Sequence, residues 1–276
     1  MKIAVIGLGL IGGSLAKAIK KHYNYTVLGA DLNQDVLRAA LADGAVDRKL
    51  TTKDLQDCDI VLLAIYPQAT VEYIESHQGD FGPHTVVIDC CGVKRYICQK
   101  VWPWARQNGF TFIGGHPMAG LEVAGYENSL AELYNNASMI LTPEPQQTEA
   151  ELTKISDFFL GQGFGHIEIT SPEKHDKNIA YTSQLAHVVS NAYVKSPGAA
   201  VHKGFSAGSY KDLTRVAKLE ETMWTELFLE NKDFLLEEIN TIMKHLGEYA
   251  SALADQDPVR LKDLLKAGRE RKELVD

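Results

Sequence analysis

Long apolar runs are missing from this 276-residue chain, as are clusters of lysine or arginine and histidines at zinc-finger spacing from cysteine. Without an apolar stretch of bilayer length, no membrane-spanning helix is expected. With 28 basic against 36 acidic residues, a formal net charge of −8 and no basic run, neither nucleic acid nor an anionic membrane is expected as a partner. Cysteines are few, four in all at positions 58, 90, 91 and 98, and neighbours this close cannot form an ordinary disulfide. They read as small buried hydrophobes, one of Cys90 and Cys91 lining a cleft, and neither a metal site nor a cysteine nucleophile is expected. The chain begins directly on a core strand with no secretory leader, which makes a cytoplasmic protein the expectation. What remains is an ordinary globular composition, 45% hydrophobic and 23% charged, long enough for two domains.

The strand Lys2-Ile-Ala-Val-Ile6 runs into Gly7-Leu-Gly9-Leu-Ile-Gly12-Gly13, and the next apolar run, 25–30, ends on Asp31. That is the pattern of a βαβ unit whose glycine turn cradles a pyrophosphate at a helix N-terminus. Gly7 serves the tight turn, Gly9 the approach of backbone to phosphate, and Gly12 the close packing of helix on sheet. The N–H groups of Leu10, Ile11 and Gly12 point at the anion. Asp31 would accept hydrogen bonds from the adenosine ribose hydroxyls and repel a 2′-phosphate. No arginine follows in Leu32-Asn33, so NAD is expected rather than NADP.

Further near-continuous apolar runs at 59–65, 84–89 and 110–113 read as parallel strands buried on both faces, with a short strand near 46–50 and late strands at 138–141 and 166–170. Helices are expected at 36–42 and 149–160. Strand carboxyl ends line the ligand crevice of such sheets, which puts Pro67, Cys90-Cys91-Gly92 and Gly114-Gly115-His116 around one cleft, Pro67 among the cofactor contacts. Beyond Ser171-Pro172 the pattern turns helical, with helices at 174–195, 210–219 and 222–252. The last carries an apolar stripe from Trp224 to Leu253 that needs a large partner surface. The expected fold class is α/β: a Rossmann-type dinucleotide-binding domain over 1–170, then an all-α domain over 171–276 that binds substrate and forms a homodimer.

His116, flanked by glycines and a proline just past a cleft strand, is the candidate general base for dehydrogenation of a hydroxyl-bearing carbon. In the helical half, His187 reads equally as a core histidine or a ligand contact, and Arg215 as a solvated charge or a bidentate carboxylate clamp. Glu122, Lys94 and Lys211 are weaker candidates.

As a set, these residues resemble the prephenate and arogenate dehydrogenase family of tyrosine biosynthesis. The likeness rests on Gly7 to Ser14, Asp89 with Val93-Lys94, Gly-Gly-His116-Pro-Met-Ala-Gly, Pro172-Glu-Lys-His-Asp176, His187, and Tyr-Lys-Asp-Leu-Thr-Arg215. It implies an NAD-dependent oxidative decarboxylation. Hydride leaves the ring carbon bearing the hydroxyl, carbon dioxide leaves the opposite carbon, and the ring becomes aromatic. It implies further that His116 takes the hydroxyl proton, that Arg215 holds a substrate carboxylate, that His187 contacts the side chain, and that Glu122 and Gly92 border the substrate. Many relatives carry serine where this chain has Gly92, so here a water or a neighbouring side chain must orient the histidine. The expected form lacks a chorismate mutase or regulatory domain. Prephenate is favoured over arogenate because His187 can donate to a keto oxygen, while no acid waits for an ammonium. The competing readings are another NAD-dependent reductase acting on imines or hydroxyacids, and a dinucleotide sensor without chemistry.

Overall fold

The computed structural model describes residues 1–275. The first half lays down β1 (Lys2–Ile6), β2 (Thr26–Ala30), β3 (Arg48–Lys49), β4 (Ile60–Leu63), β5 (Val86–Asp89), β6 (Thr111–Pro117), β7 (Ser138–Pro143) and β8 (His166–Ile169). They form one sheet in the order β3-β2-β1-β4-β5-β6-β7-β8, parallel except where β7 runs against β6. Alternation sorts the core onto the two faces. Ile3 and Val5 pack with Leu15 and Ile19 of α1 (Leu10–His22), Leu37 of α2 (Gln34–Ala42) and Phe158 and Phe159 of α5 (Glu149–Leu160). Ala4 and Ile6 pack with Val71 and Ile74 of α3 (Pro67–His77) and Ile97 and Val101 of α4 (Arg95–Asn108). Strand order reverses between β1 and β4, so the crevice of this three-layer sandwich opens at their carboxyl ends.

Two boundaries differ from the sequence expectation in ways that matter. The run expected to stop at Ile113 continues to Pro117, because Gly114 to Pro117 find ladder partners on antiparallel β7, with His116 opposite Ile140. His116 therefore lies within a strand and not in a loop after it. The short third strand shrinks to Arg48–Lys49.

After β8 the chain is helical: α6 (Pro172–Ile179), a π-helical turn (Ala180–Leu185), α7 (Ala186–Tyr193), α8 (Gly208–Thr214), α9 (Glu221–Glu230), α10 (Lys232–Ala254) and α11 (Pro258–Val275). The single helix expected over 174–195 thus contains a π turn, and the one over 210–219 ends at Thr214. The one over 222–252 is broken at Asn231. Its fully buried side chain donates to the Asp176 carbonyl and to Gln184 Oε1, both at 2.8 Å, and accepts from Arg95 at 3.1 Å. A buried amide anchored to three elements fixes the backbone where it stands, and Asn231 leaves helical geometry at φ −119° and ψ 24°. Helix α11 was not anticipated; its charged sequence carries little apolar periodicity. No helix among the described residues is long and apolar enough to cross a membrane.

Candidate active site

At the first crevice wall each fingerprint glycine has its own reason. Gly7 sits at φ +83°, and a Cβ there would meet the Ala64 carbonyl oxygen at 2.5 Å. At Gly12 a Cβ would lie 1.8 Å from the Gly7 carbonyl oxygen. At Gly9 it would meet nothing within 4 Å, because the position faces open space. Gly13 N–H makes a helical bond to Gly9 O (2.8 Å), no acidic side chain occupies the first turn of α1, and its N-cap offers no side-chain bond. The N–H groups of Leu10, Ile11 and Gly12 thus have no protein acceptor designed for them, which suits an anionic pyrophosphate.

Asp31 accepts from Leu8 N–H at 2.7 Å and Asn33 N–H at 2.8 Å, which pins its carboxylate beside the glycine loop where a ribose would lie. Pro67 is the first residue of α3, immediately beyond the Ala64–Ile65 edge against which Gly7 packs. These residues fit a bound NAD. The four cysteines are free; burial pushes the Cys90 thiol up to about 12 and Cys91 well above its ordinary value, so neither is a nucleophile at neutral pH.

The second wall is built on a buried ion pair. Lys94 and Asp89 are both fully buried and in contact, and Lys94 Nζ also donates to the Gly115 carbonyl. Burial opposes the charge on Lys94, but Asp89 and nearby cysteines hold its pKa above the usual lysine value. Asp89 in turn accepts from Cys91 N–H (3.0 Å) and Gly115 N–H (3.1 Å). The paired glycines before His116 follow from this packing. A Cβ on Gly114 would meet Thr142 Oγ1 at 2.2 Å and the Lys94 stem at 3.1 Å, and one on Gly115 the Asp89 carbonyl at 2.4 Å.

His116 is half-buried, with Nδ1 2.9 Å from Nε2 of His175, whose own Nδ1 lies 2.7 Å from Asp176 Oδ1. Asp176 also accepts from the backbone N–H groups of Lys94 (2.8 Å) and Arg95 (2.9 Å). A carboxylate from the helical half thereby caps the N-terminus of α4 in the sheet domain. The sequence reading gave His175 and Asp176 no role. A histidine and an aspartate side by side, just inside a Ser-Pro helix start, were the available signal. Gly92 lies alongside: a Cβ there would stand 3.9 Å from His116 Cε1 and 3.4 Å from Leu227 of α9.

The substrate-side candidates are arranged differently from expectation. Arg215 and Glu122 are exposed and pair with each other at 3.0 Å, so the guanidinium is not free. An exposed pair of this kind is worth only about 0–1 kcal/mol. His187 Nδ1 lies 2.9 Å from the Ser183 carbonyl, which can only accept; the N–H is committed there and Nε2 is left as an acceptor. The donor role toward a keto oxygen assigned to it from sequence is therefore unavailable to the neutral ring. Burial lowers its pKa, and the ring packs against Trp224 in a tilted contact at 4.0 Å between centroids. Gln184 is buried and structural, tying the π turn to the Leu227 carbonyl and Asn231.

Comparison with known families decides the class. The family model described as prephenate dehydrogenase, nucleotide-binding domain, matches residues 15–168, and the one described as prephenate dehydrogenase, dimerization domain, matches residues 171–267. The chain belongs to the prephenate dehydrogenase family. It is accordingly an NAD-dependent dehydrogenase. A prephenate dehydrogenase of Lactococcus lactis is 30% identical over all of this chain and 77% of its own length. The prephenate dehydrogenase of Aquifex aeolicus, solved with hydroxyphenyl propionate and NAD+, superposes with a TM-score of 0.86 at 27% identity, covering all of this chain and 98% of that one. Arogenate dehydrogenase of Synechocystis gives 0.82 at 26% identity over the whole of both chains.

Membership in the prephenate dehydrogenase family gives the histidine geometry a pH consequence. Burial first, then His175 and Lys94, hold His116 well below the ordinary histidine value of 6.5. Only the neutral ring of His116 has a lone pair with which to accept a proton, and that form is lost as pH falls through the pKa. kcat is therefore expected to stay level across neutrality and to fall only on the acid side of 6.5. A pH–rate profile with its rise on the alkaline side of neutrality would contradict this.

Proposed function

We propose that the chain converts prephenate to 4-hydroxyphenylpyruvate and carbon dioxide, with His116 as the general base. The observation that carries this is the half-buried His116, held through Nδ1 at the end of β6, at the same carboxyl edge of the sheet as the dinucleotide fingerprint after β1. Bound NAD supplies the hydride acceptor. His116 Nε2 takes the hydroxyl proton as hydride leaves the same ring carbon. The bond to the carboxylate on the opposite carbon breaks, its electron pair enters the ring, and aromatisation drives the step. Arg215 holds a substrate carboxylate, with Glu122 beside it; His187 and Gly92 border the ligand.

The test is NADH formation by the purified chain, with prephenate and arogenate in parallel and NADP as control. Turnover of prephenate well above arogenate, with NAD, is the expected result. The reverse preference would move the substrate to the amino form, for which the acceptor Nε2 of His187 is suited. No turnover of either would overturn the reading. Arg215→Ala is expected to raise KM for prephenate roughly 10–100-fold, the value of one charge-assisted contact, and to leave KM for NAD unchanged.

Residues 1–170 are proposed to hold the dinucleotide, and 171–276 to close on substrate and pair with a second copy. Leu236, Met243, Leu246 and Leu253 are exposed on α10 at seven- and three-residue spacings that place them on one face. An uncovered stripe of this kind in a family whose helical part is described as a dimerization domain supports a homodimer. Light scattering is expected to give twice the chain mass, and Met243→Glu with Leu246→Glu to give the monomer. Four free cysteines fit a reducing compartment, and a cytoplasmic location is part of the same proposal.

A further inference from the structure

We infer that His175 and Asp176 are positioning residues that fix the tautomer of His116, leaving its Nε2 as a bare acceptor toward the substrate. The inference rests on His116 being the base and adds what makes it one in a chain with no serine at position 92.

Protons can be placed along the chain of contacts by elimination. Asp176 Oδ1 accepts from Lys94 N–H, and Oδ2 from Arg95 N–H and, at 3.3 Å, from Arg95 Nε. A carboxylate already receiving three donors, one of them cationic, has no proton to give, so the 2.7 Å contact runs from His175 Nδ1–H to Asp176. The His175 side chain is fully buried, and burial, with Lys94 nearby, outweighs the pull of Asp176 and Asp89 and holds its pKa below the ordinary histidine value, which disfavours a second proton. Its Nε2 is then a lone-pair acceptor. The 2.9 Å contact must run from His116 Nδ1–H to that lone pair, and neutral His116 has its other nitrogen unprotonated. The opposite tautomer would leave two lone pairs facing each other at 2.9 Å.

A base needs a lone pair at the reacting proton, so the wrong tautomer is inactive whatever the pKa. The relay also steadies the imidazolium formed in the step, since its Nδ1–H keeps an acceptor. At Gly92 no hydroxyl is present to compete for Nε2, and the space beside His116 Cε1 is bounded by Leu227.

The test begins with the unaltered protein. Nitrogen-15 spectra of histidine-labelled enzyme, with the His116 resonances assigned by their loss in His116→Asn, are expected to show a protonated Nδ1 and a bare Nε2 near neutral pH. His175→Leu is expected to shift the proton toward Nε2 and to lower kcat about 10²–10⁴-fold, as wrong-tautomer and lost-base variants do, with NAD affinity unchanged. His175→Gln, whose amide oxygen can accept from Nδ1–H, is expected to recover part of the loss. A bare Nδ1 in the unaltered protein overturns the inference, as does a His175→Leu enzyme turning over at the parental rate. If His175→Leu does not fold, the spectrum of the unaltered protein still decides. Because that spectrum needs no turnover, it is independent of whether His116 proves to be the base, which His116→Asn kinetics settle.

Discussion

An enzyme carrying His116→Asn is expected to bind NAD as the parent does and to turn prephenate over roughly 10²–10⁴-fold more slowly, the range that a positioned general base contributes. Asparagine keeps a polar side chain opposite His175 and opens no large cavity in β6. The loss should therefore appear in kcat, with little change in melting temperature. The glycine loop and Asp31 follow β1 and β2 and are untouched, so cofactor affinity is the internal control. Steady-state kinetics with isothermal NAD titration make the measurement. A variant that keeps most of its turnover would remove His116 from the mechanism.

Lys94→Met is expected to produce the largest fall in stability. It leaves the carboxylate of Asp89 buried without its cation, and stranding one member of a buried pair costs about 3–5 kcal/mol. For a chain of this size that is a drop in Tm of about 10 °C. Restoring neutrality with Asp89→Asn in the same chain should recover part of the loss, since the amide oxygen can still accept from Cys91 or Gly115 N–H. Calorimetry on the two variants tests the pair. Equal melting temperatures for parent and Lys94→Met would mean that the contact is not an ion pair.

Much of the sheet domain could be read from the sequence because its signals are local. Glycine placement, an acid at a strand end and runs of buried β-branched residues each report on a few neighbouring positions. The helix over Glu149–Leu160 was anticipated to the residue, with Thr148 and Glu151 forming its capping box. The misreadings share a different cause. β6 outruns its apolar stretch because β7, more than twenty residues downstream, supplies the ladder. The helix break at Asn231 depends on Asp176, Gln184 and Arg95, which come from both halves of the chain. The pairing of Arg215 with Glu122 and the commitment of His187 Nδ1 to Ser183 are likewise invisible without coordinates, although both candidates were recognised. In the candidate site, the sequence singles out His116 but assigns no role to His175 and Asp176, because the adjacency of His175 to His116 exists only after folding.

The helix cap that Asp176 places on α4 has a consequence for how this protein comes into being. The dinucleotide loop precedes His116 in the chain, whereas the carboxylate that caps α4, and through His175 meets the His116 ring, is added more than fifty residues after His116. The residues of the cofactor loop are thus made before those that meet His116. An incompletely docked molecule would hold nucleotide without consuming it, and turnover would report that the two halves had found each other.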